Sequence, residues 1–333
     1  ESNVPPSVGA YWPGRIWESA AVLLDQVQDS PIVPRTGPLV GAAGNGKYQV
    51  DFLELFAGCG ILTEACSIVG LKVASGLDIL YHSYGRAWDF SKLADQADAA
   101  YLIVYVFEPK IIHLGVQCTE FCMLGNRNPD AQTMACVAFS GKCAAHQEAR
   151  KLGASLESPW KSDLWSDSTL AQYIDFGDQG SAWTLTRSAG CQFDMTFPGH
   201  EEIEVPDGRE VRVYDAYGAC IEKGRGWLAN FGLEMLSKKC SNPDALAPTK
   251  HFHVHARGDF TDPKDGKRKK VSKFTGRYTE AEAIAYAESA VYQVAVKMER
   301  LALPAIETET ELMKLAKKSR WYGEFRGLPP REF

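Results

Sequence analysis

The sequence predicts an α/β protein built on a doubly wound, mostly parallel, Rossmann-like sheet with a smaller inserted lobe. Three observations predict it. A strand-like run, Tyr48–Phe56, ends in a glycine turn, Gly58-Cys59-Gly60. An apolar-periodic stretch at helical spacing follows over Ile61–Val69, and a second strand-like run, Lys72–Leu77, comes next and ends in Asp78. Strand, turn, helix and strand in that order open a parallel sheet, because parallel neighbours need a crossover and the crossover is usually a helix.

The remaining elements are read in order. Residues 1–48 are rich in Pro and Gly, with one amphipathic stretch at Ile16–Gln26, and otherwise read as an extended N-terminal arm. The core is expected over 49–170. Within it Tyr101–Val106 is β-branched and aromatic, yet the wider window Leu93–Val106 also fits a helix, so both readings stand. Ile111–Val116 is a short buried strand, Ala131–Leu152 a helix and Ala154–Glu157 another strand. Residues 171–250 hold more Gly and Asp and shorter strand runs such as Glu210–Tyr214, and are expected as the smaller lobe.

From 251 to 302 the chain is expected to return to the core. A strand at His251–His255 and a basic loop precede a helix running from Thr279 to about Leu301. Thr279 is its N-cap, and Glu280 and Glu282 lie in the first turn, where acidic groups meet the helix dipole favourably. The tail, 303–333, has helical spacing over Glu307–Lys318 and closes on Trp321-Tyr322-Gly323-Glu324-Phe325. Such a tail suits covering the domain or docking on a partner.

Composition excludes several classes. Of 333 residues 45% are hydrophobic and 23% charged, which excludes wholesale disorder. The longest apolar runs fall short of the ~18–20 residues that cross a bilayer, so no membrane span is expected. The net charge of −6 argues against a broad phosphate-gripping surface. The clear basic cluster is local, Lys264–Lys270, and reads as a solvated hairpin or loop tip. Nine cysteines, odd in number and irregular in spacing, fit a reducing intracellular compartment (nucleus, cytoplasm or organelle) rather than a disulfide scaffold. Cys118, Cys122, Cys136 and Cys143 lack paired CxxC knuckles, and no metal site is expected from them. His251, His253 and His255 share one strand face and read as structural hydrogen-bonding groups, with a divalent metal as the competing reading. Trp160, Trp165, Tyr173 and Trp183 read as core.

Chemistry gathers first at Phe56-x-Gly58-x-Gly60. Glycines let the backbone turn sharply beside a ligand, and the helix behind them offers unpaired N–H groups. Asp78 lies about 20 residues on, at the end of the next strand, where a carboxylate accepts both hydroxyls of a ribose. The GxGxxG spacing and the P-loop lysine are absent, which disfavours NAD and ATP.

The run Glu54-Leu55-Phe56-Ala57-Gly58-Cys59-Gly60 resembles the opening motif of the cytosine C5 DNA methyltransferases, in which an acidic residue precedes Leu-Phe-Ala-Gly-x-Gly. The resemblance implies a Rossmann-like methyltransferase sheet and S-adenosylmethionine as cofactor. It implies Phe56, Gly58 and Gly60 around that cofactor, Asp78 on its ribose, and Asp89, in Trp88-Asp89-Phe90, on its adenine. It is closest to the divergent branch of phages and of protists such as dinoflagellates, marked by His-Leu-Gly-x-Pro-Cys-Thr, and covers 50–165 clearly and 251–295 weakly.

The second cluster, Ile112-His113-Leu114-Gly115-Val116-Gln117-Cys118-Thr119, ends a strand. By resemblance Cys118 stands at the nucleophile position and Glu157, in Leu156-Glu157-Ser158-Pro159, at the glutamate that holds the target ring. Methylation at cytosine C5 needs a thiolate at C6, an acid at N3 and a general base that removes the C5 proton, with the target cytosine first swung out of the duplex. The chain has Gln117 where the family has Pro, and Ser158 where it has Asn. The family's Arg-x-Arg finds partial counterparts in Arg209 with Arg212 and in Arg225. Two functions follow as expectations, with a methyltransferase acting on RNA or a small molecule as a third. One is an S-adenosylmethionine-dependent methyltransferase of cytosine C5 type acting on DNA or RNA. The other is a catalytically inactive relative serving as a subunit of a larger assembly, with partners held through 1–48 and 303–333.

Overall fold

The computed structural model describes residues 50–80, 82–122, 128–177, 180–196, 220–221, 223–240, 253–254, 259–261, 266–271, 275–298 and 308–322. In chain order the first half runs β1 (Phe52–Leu55), α1 (Ile61–Ile68), α2 (Leu93–Tyr101), β2 (Ile111–Leu114), α3 (Ala131–Ala149), β3 (Gly153–Pro159) and α4 (Ser168–Ala171). The second half runs β4 (Thr184–Ala189), β5 (Cys220–Ile221), β6 (Gly224–Ala229), β7 (His253–Val254), β8 (Asp259–Thr261), β9 (Arg268–Lys270), α5 (Glu280–Tyr292) and α6 (Glu311–Ala316).

The central sheet is open, in the order β1-β2-β3-β6-β4. β1, β2 and β3 pair in parallel, and β6 runs antiparallel to both its neighbours. The run Lys72–Leu77 lies along the other edge of β1 through parallel bridges at Val73 and Leu77. This is the Rossmann-like, mostly parallel α/β sheet expected. Strand pairing in parallel demands cover on both faces, and alternate residues supply it. Leu53, Leu55, Ile112 and Leu114 face a core shared with Tyr101 of α2 and Phe139 of α3. Phe52 and Ile111 face the opposite core, with Leu62 and Ala65 of α1 and Ala283 and Tyr286 of α5.

Several expectations resolve. Leu93–Val106 is helical, and α2 continues through a π-helical turn over Leu102–Phe107. Leu102, Ile103, Val104 and Val106 of the π-helical turn are all buried, so over Leu102–Phe107 periodicity alone cannot separate helix from strand. The stretch 171–250, expected as a smaller lobe, supplies β4 and β6 to the central sheet. Gly224 and Gly226 weaken the strand signal of β6, yet Gly226 is needed where it stands: a Cβ there would lie 2.9 Å from Cζ2 of Trp165. Glu210–Tyr214, the arm 1–48, His251 and His255 fall outside the described residues.

Over its described part, 266–270, the basic run supplies β9, the second strand of a small antiparallel pair with β8, and Arg268 and Lys270 are exposed. The tail covers the domain over its described part, 308–322. Leu312, Leu315, Ala316 and Trp321 are buried, and the Trp321 ring meets Trp88 at 6.3 Å and Tyr101 at 6.0 Å. Among the described residues no helix is long and apolar enough to cross a membrane.

Candidate active site

The glycine turn leaves β1 through a run of left-handed residues. Phe56, Gly58 and Gly60 have φ of 57°, 55° and 72°, and Gly60 caps the N-terminus of α1. Phe56 bears a strain that only glycine escapes, and two contacts hold it there. Its N–H donates to the Leu77 carbonyl at 2.8 Å, and its ring packs edge-on against Phe90 at 4.8 Å. A Cβ on Gly58 or Gly60 would meet nothing within 4 Å. These glycines are therefore required by backbone angle, and the space above them is free for a ligand.

Asp78 closes the turn. Its carboxylate accepts from Gly58 N–H at 2.9 Å and Leu80 N–H at 2.6 Å, and its own carbonyl accepts from Trp88 N–H at 3.0 Å. That last bond brings the Asp89 segment beside it. A carboxylate offers about four acceptor sites, so two stay available for hydroxyls of a bound sugar. Asp89 is held below the usual carboxylate range, chiefly by the Ser91 hydroxyl at 2.6 Å and also by Lys92. Beneath the turn, buried Glu54 accepts from Thr63 N–H at 2.9 Å and Thr63 Oγ1 at 2.6 Å. Burial pushes its carboxyl up to about 7 against those bonds. Phe56, Gly58, Gly60, Asp78 and Asp89 thus form one neighbourhood at the carboxyl end of β1, where open α/β sheets bind ligands.

The second neighbourhood lies at the carboxyl ends of β2 and β3. Cys118 is half-buried, and its thiol is pushed up to about 11 by burial and then by the negative charge of Glu157, with Lys223 opposing. Cys118 and Glu157 therefore sit within electrostatic reach of each other. Glu157 has one oxygen 3.3 Å from Nε of Arg225 and the other receiving a bond from the Tyr278 hydroxyl at 3.3 Å. Burial raises its carboxyl, while Arg225, Lys223 and Tyr278 pull the other way.

Arg225 is fully buried. It pairs with Glu282 of α5 through Nη1 and donates through Nη2 to the carbonyls of Thr275, at 2.9 Å, and Arg277. Its guanidinium lies 4.9 Å above the Tyr278 ring. Glu282 also accepts from Ser188 Oγ at 2.8 Å, which ties α5 to β4. Lys223 Nζ donates to the same Thr275 carbonyl at 2.6 Å.

Gly115 joins the two neighbourhoods. A Cβ there would stand 3.1 Å from the Phe56 carbonyl, 3.8 Å from the Tyr278 hydroxyl and 3.9 Å from Nε2 of His113. Phe56, Gly58, Gly60, Asp78 and Asp89 form one group at this end of the sheet, and Cys118 and Glu157 belong to the adjoining one.

Sequence reasoning weighed Arg225 only as a partial arginine motif and missed Lys223, Tyr278 and Glu282 as members of the site. The alternation Lys223-Gly224-Arg225-Gly226 was the available signal, since residues two apart share a strand face. Tyr278 carried no local signal. Arg209 and Arg212 lie outside the described residues. A groove of about 450 Å³ is lined by Arg86, Ala94, Asp95, Asp98, Lys318 and Arg320, and includes none of these groups.

No protein-family model and no curated protein sequence matches the chain. Among solved structures, the crystal structure of the S. pombe Dnmt2 methyltransferase is similar at 13% identity and a TM-score of 0.32, over 58% of this chain and 56% of that one. This chain thus spans little more than half of that protein.

Proposed function

We propose that the chain is an S-adenosylmethionine-dependent methyltransferase acting at C5 of cytosine in nucleic acid. One observation carries the reading: the glycine turn with Asp78 and the pair Cys118–Glu157 adjoin through Gly115 at one end of one sheet. The free space over Gly58 and Gly60, with the half-buried Phe56 ring and the Asp78 carboxylate at its border, fits a nucleoside cofactor. When bound, that cofactor supplies an electrophilic methyl group.

The chain's own residues would do the rest. Asp78 accepts from the sugar hydroxyls. Glu157, anchored by Arg225 and Tyr278, presents a carboxyl group to N3 and the exocyclic amine of an extruded base. As a thiolate, Cys118 would attack C6 and move electron density toward C5 and N3. Once C5 carries the methyl group, loss of the C5 proton to a base would break the Cys118–C6 bond and return the thiolate. Lys223 is the cation that favours that thiolate over the thiol. Incubation with methyl-labelled cofactor and a mixture of DNA and RNA tests the reading. Wild-type protein should label nucleic acid and Cys118→Ala should not. Equal labelling by both would remove the thiolate mechanism.

A second reading is a catalytically silent protein of this fold acting as an assembly subunit. It draws on the same thiol, which burial and Glu157 keep protonated at neutral pH, and on Gln117 beside it. A thermal-shift measurement separates the two. Saturating S-adenosylmethionine at ~100 times its dissociation constant should stabilise an active protein by ~2.7 kcal/mol. A melting temperature unmoved by millimolar cofactor would favour the silent subunit.

A further inference from the structure

Behind Glu157 runs a line of buried hydroxyls and one imidazole. Tyr278 Oη lies 3.3 Å from Glu157 Oε2 and 3.1 Å from His113 Nε2. His113 Nδ1 lies 2.9 Å from Ser155 Oγ, and Ser155 Oγ lies 2.7 Å from Tyr286 Oη. His113 and Ser155 are fully buried, side by side on β2 and β3, and Tyr286 comes from α5.

Counting hydrogens orients this chain. The Tyr278 hydroxyl donates to Glu157 Oε2, so its single hydrogen is spent there. The Tyr278 oxygen must then accept from His113, which places the imidazole proton on Nε2. A neutral imidazole has one N–H, so Nδ1 is bare and takes the Ser155 hydrogen. Ser155 in turn accepts from Tyr286. Burial keeps His113 neutral, since it pushes the imidazole down to about 3. Every bond points toward Glu157.

We infer that Tyr278 is a positioning residue for Glu157, oriented by the Nε2–H tautomer of His113, and that the chain from Tyr286 holds one carboxylate oxygen while Arg225 holds the other. The inference rests on the reading of Glu157 as the ring-binding acid. It goes further by assigning what sets that carboxyl group's direction and proton. Groups facing Glu157 are Arg225 on β6, Lys223 just before it, Glu282 on α5, Cys118 after β2 and Tyr278 itself. Arg225 and Lys223 favour the anion and Glu282 opposes it, so the Tyr278 hydrogen bond adds to the two cations.

The test uses full-length protein labelled with 15N in histidine and 13C in glutamate carboxyl groups, titrated by NMR. Wild-type His113 should show the Nε2–H tautomer near neutral pH. In Tyr278→Phe the Glu157 titration should move upward, because the anion has lost a donor. In Tyr286→Phe, at the far end of the chain, it should move much less. An Nδ1–H tautomer in the wild type, or a Glu157 titration unmoved in Tyr278→Phe, would overturn the inference. An equal movement in both tyrosine variants would also overturn it, as a general packing effect. No substrate or cofactor is needed for these readouts. A wild-type protein that transfers no methyl group would overturn the methyltransferase reading and leave this test intact.

Discussion

Arg225 brings a full positive charge to the interior of the sheet, and its four partners come from two stretches of the chain: Glu157 from β3, and Thr275, Arg277 and Glu282 from 275–282. Removing one member of such a group strands the others without water. Arg225→Leu is expected to cost about 3–5 kcal/mol, read from urea unfolding at pH 7. A variant as stable as wild type would mean that Glu157 and Glu282 are solvated. Glu157 was legible from sequence because a short motif names it. Its partner Tyr278 lies 121 residues away, and only the fold brings the two together. Asp78 stood out for the opposite reason, since strand, turn, helix and strand occupy consecutive residues and fix where the carboxylate emerges.

At the scale of elements, α1 starts on a glycine at φ 72° with no side-chain cap. Gly60→Ala meets no neighbour, so its cost is conformational, roughly 1–2 kcal/mol. Chemical denaturation should record that loss, and an unchanged midpoint would mean that the turn relaxes to negative φ. The tail helix α6 is capped by the Thr310 hydroxyl, which accepts from Met313 N–H at 3.3 Å and lies 2.8 Å from Nδ1 of buried His146 on α3. Thr310→Ala loses both contacts and should cost about 1 kcal/mol or more. Hydrogen exchange in 311–316 should rise in that variant ahead of exchange in the sheet. The helical spacing of this tail was readable, whereas its cover of Trp88 and Tyr101 was not, because an amphipathic face does not name what it packs against.

Across the whole molecule, buried titratable groups decide how the fold answers to pH. His113 and His146 are pushed down to about 3 and about 4 by burial, against an ordinary value near 6.5. The unfolded chain therefore takes up protons that the folded protein refuses, and their stability contribution, complete above pH 6.5, is lost as pH falls toward 4. Glu54 acts the other way. Its folded value, about 7, lies above the unfolded 4.5, so its cost is present at high pH and is relieved as pH falls from 7 to 4.5. Between pH 7 and 4.5 the histidine loss opposes the Glu54 relief, each group at ~1.4 kcal/mol per pH unit. Glu54→Gln removes the relief and should steepen that loss. Urea midpoints at the two pH values check it, and a slope equal to wild type would show that Glu54 is ionised in the folded protein.

The doubly wound sheet itself was written in local periodicity, strand by strand, and so was readable. Its antiparallel strand β6 was not, because two glycines mute its pattern and its neighbours β3 and β4 come from distant segments.

The proposed chemistry requires a nucleoside cofactor seated against Asp78 over the glycine turn. Isothermal titration of S-adenosylmethionine into wild type and Asp78→Ala measures this most directly. Saturable one-to-one binding by wild type and its loss in the variant is the predicted result. Equal binding by the two proteins, or no binding by either, would contradict it.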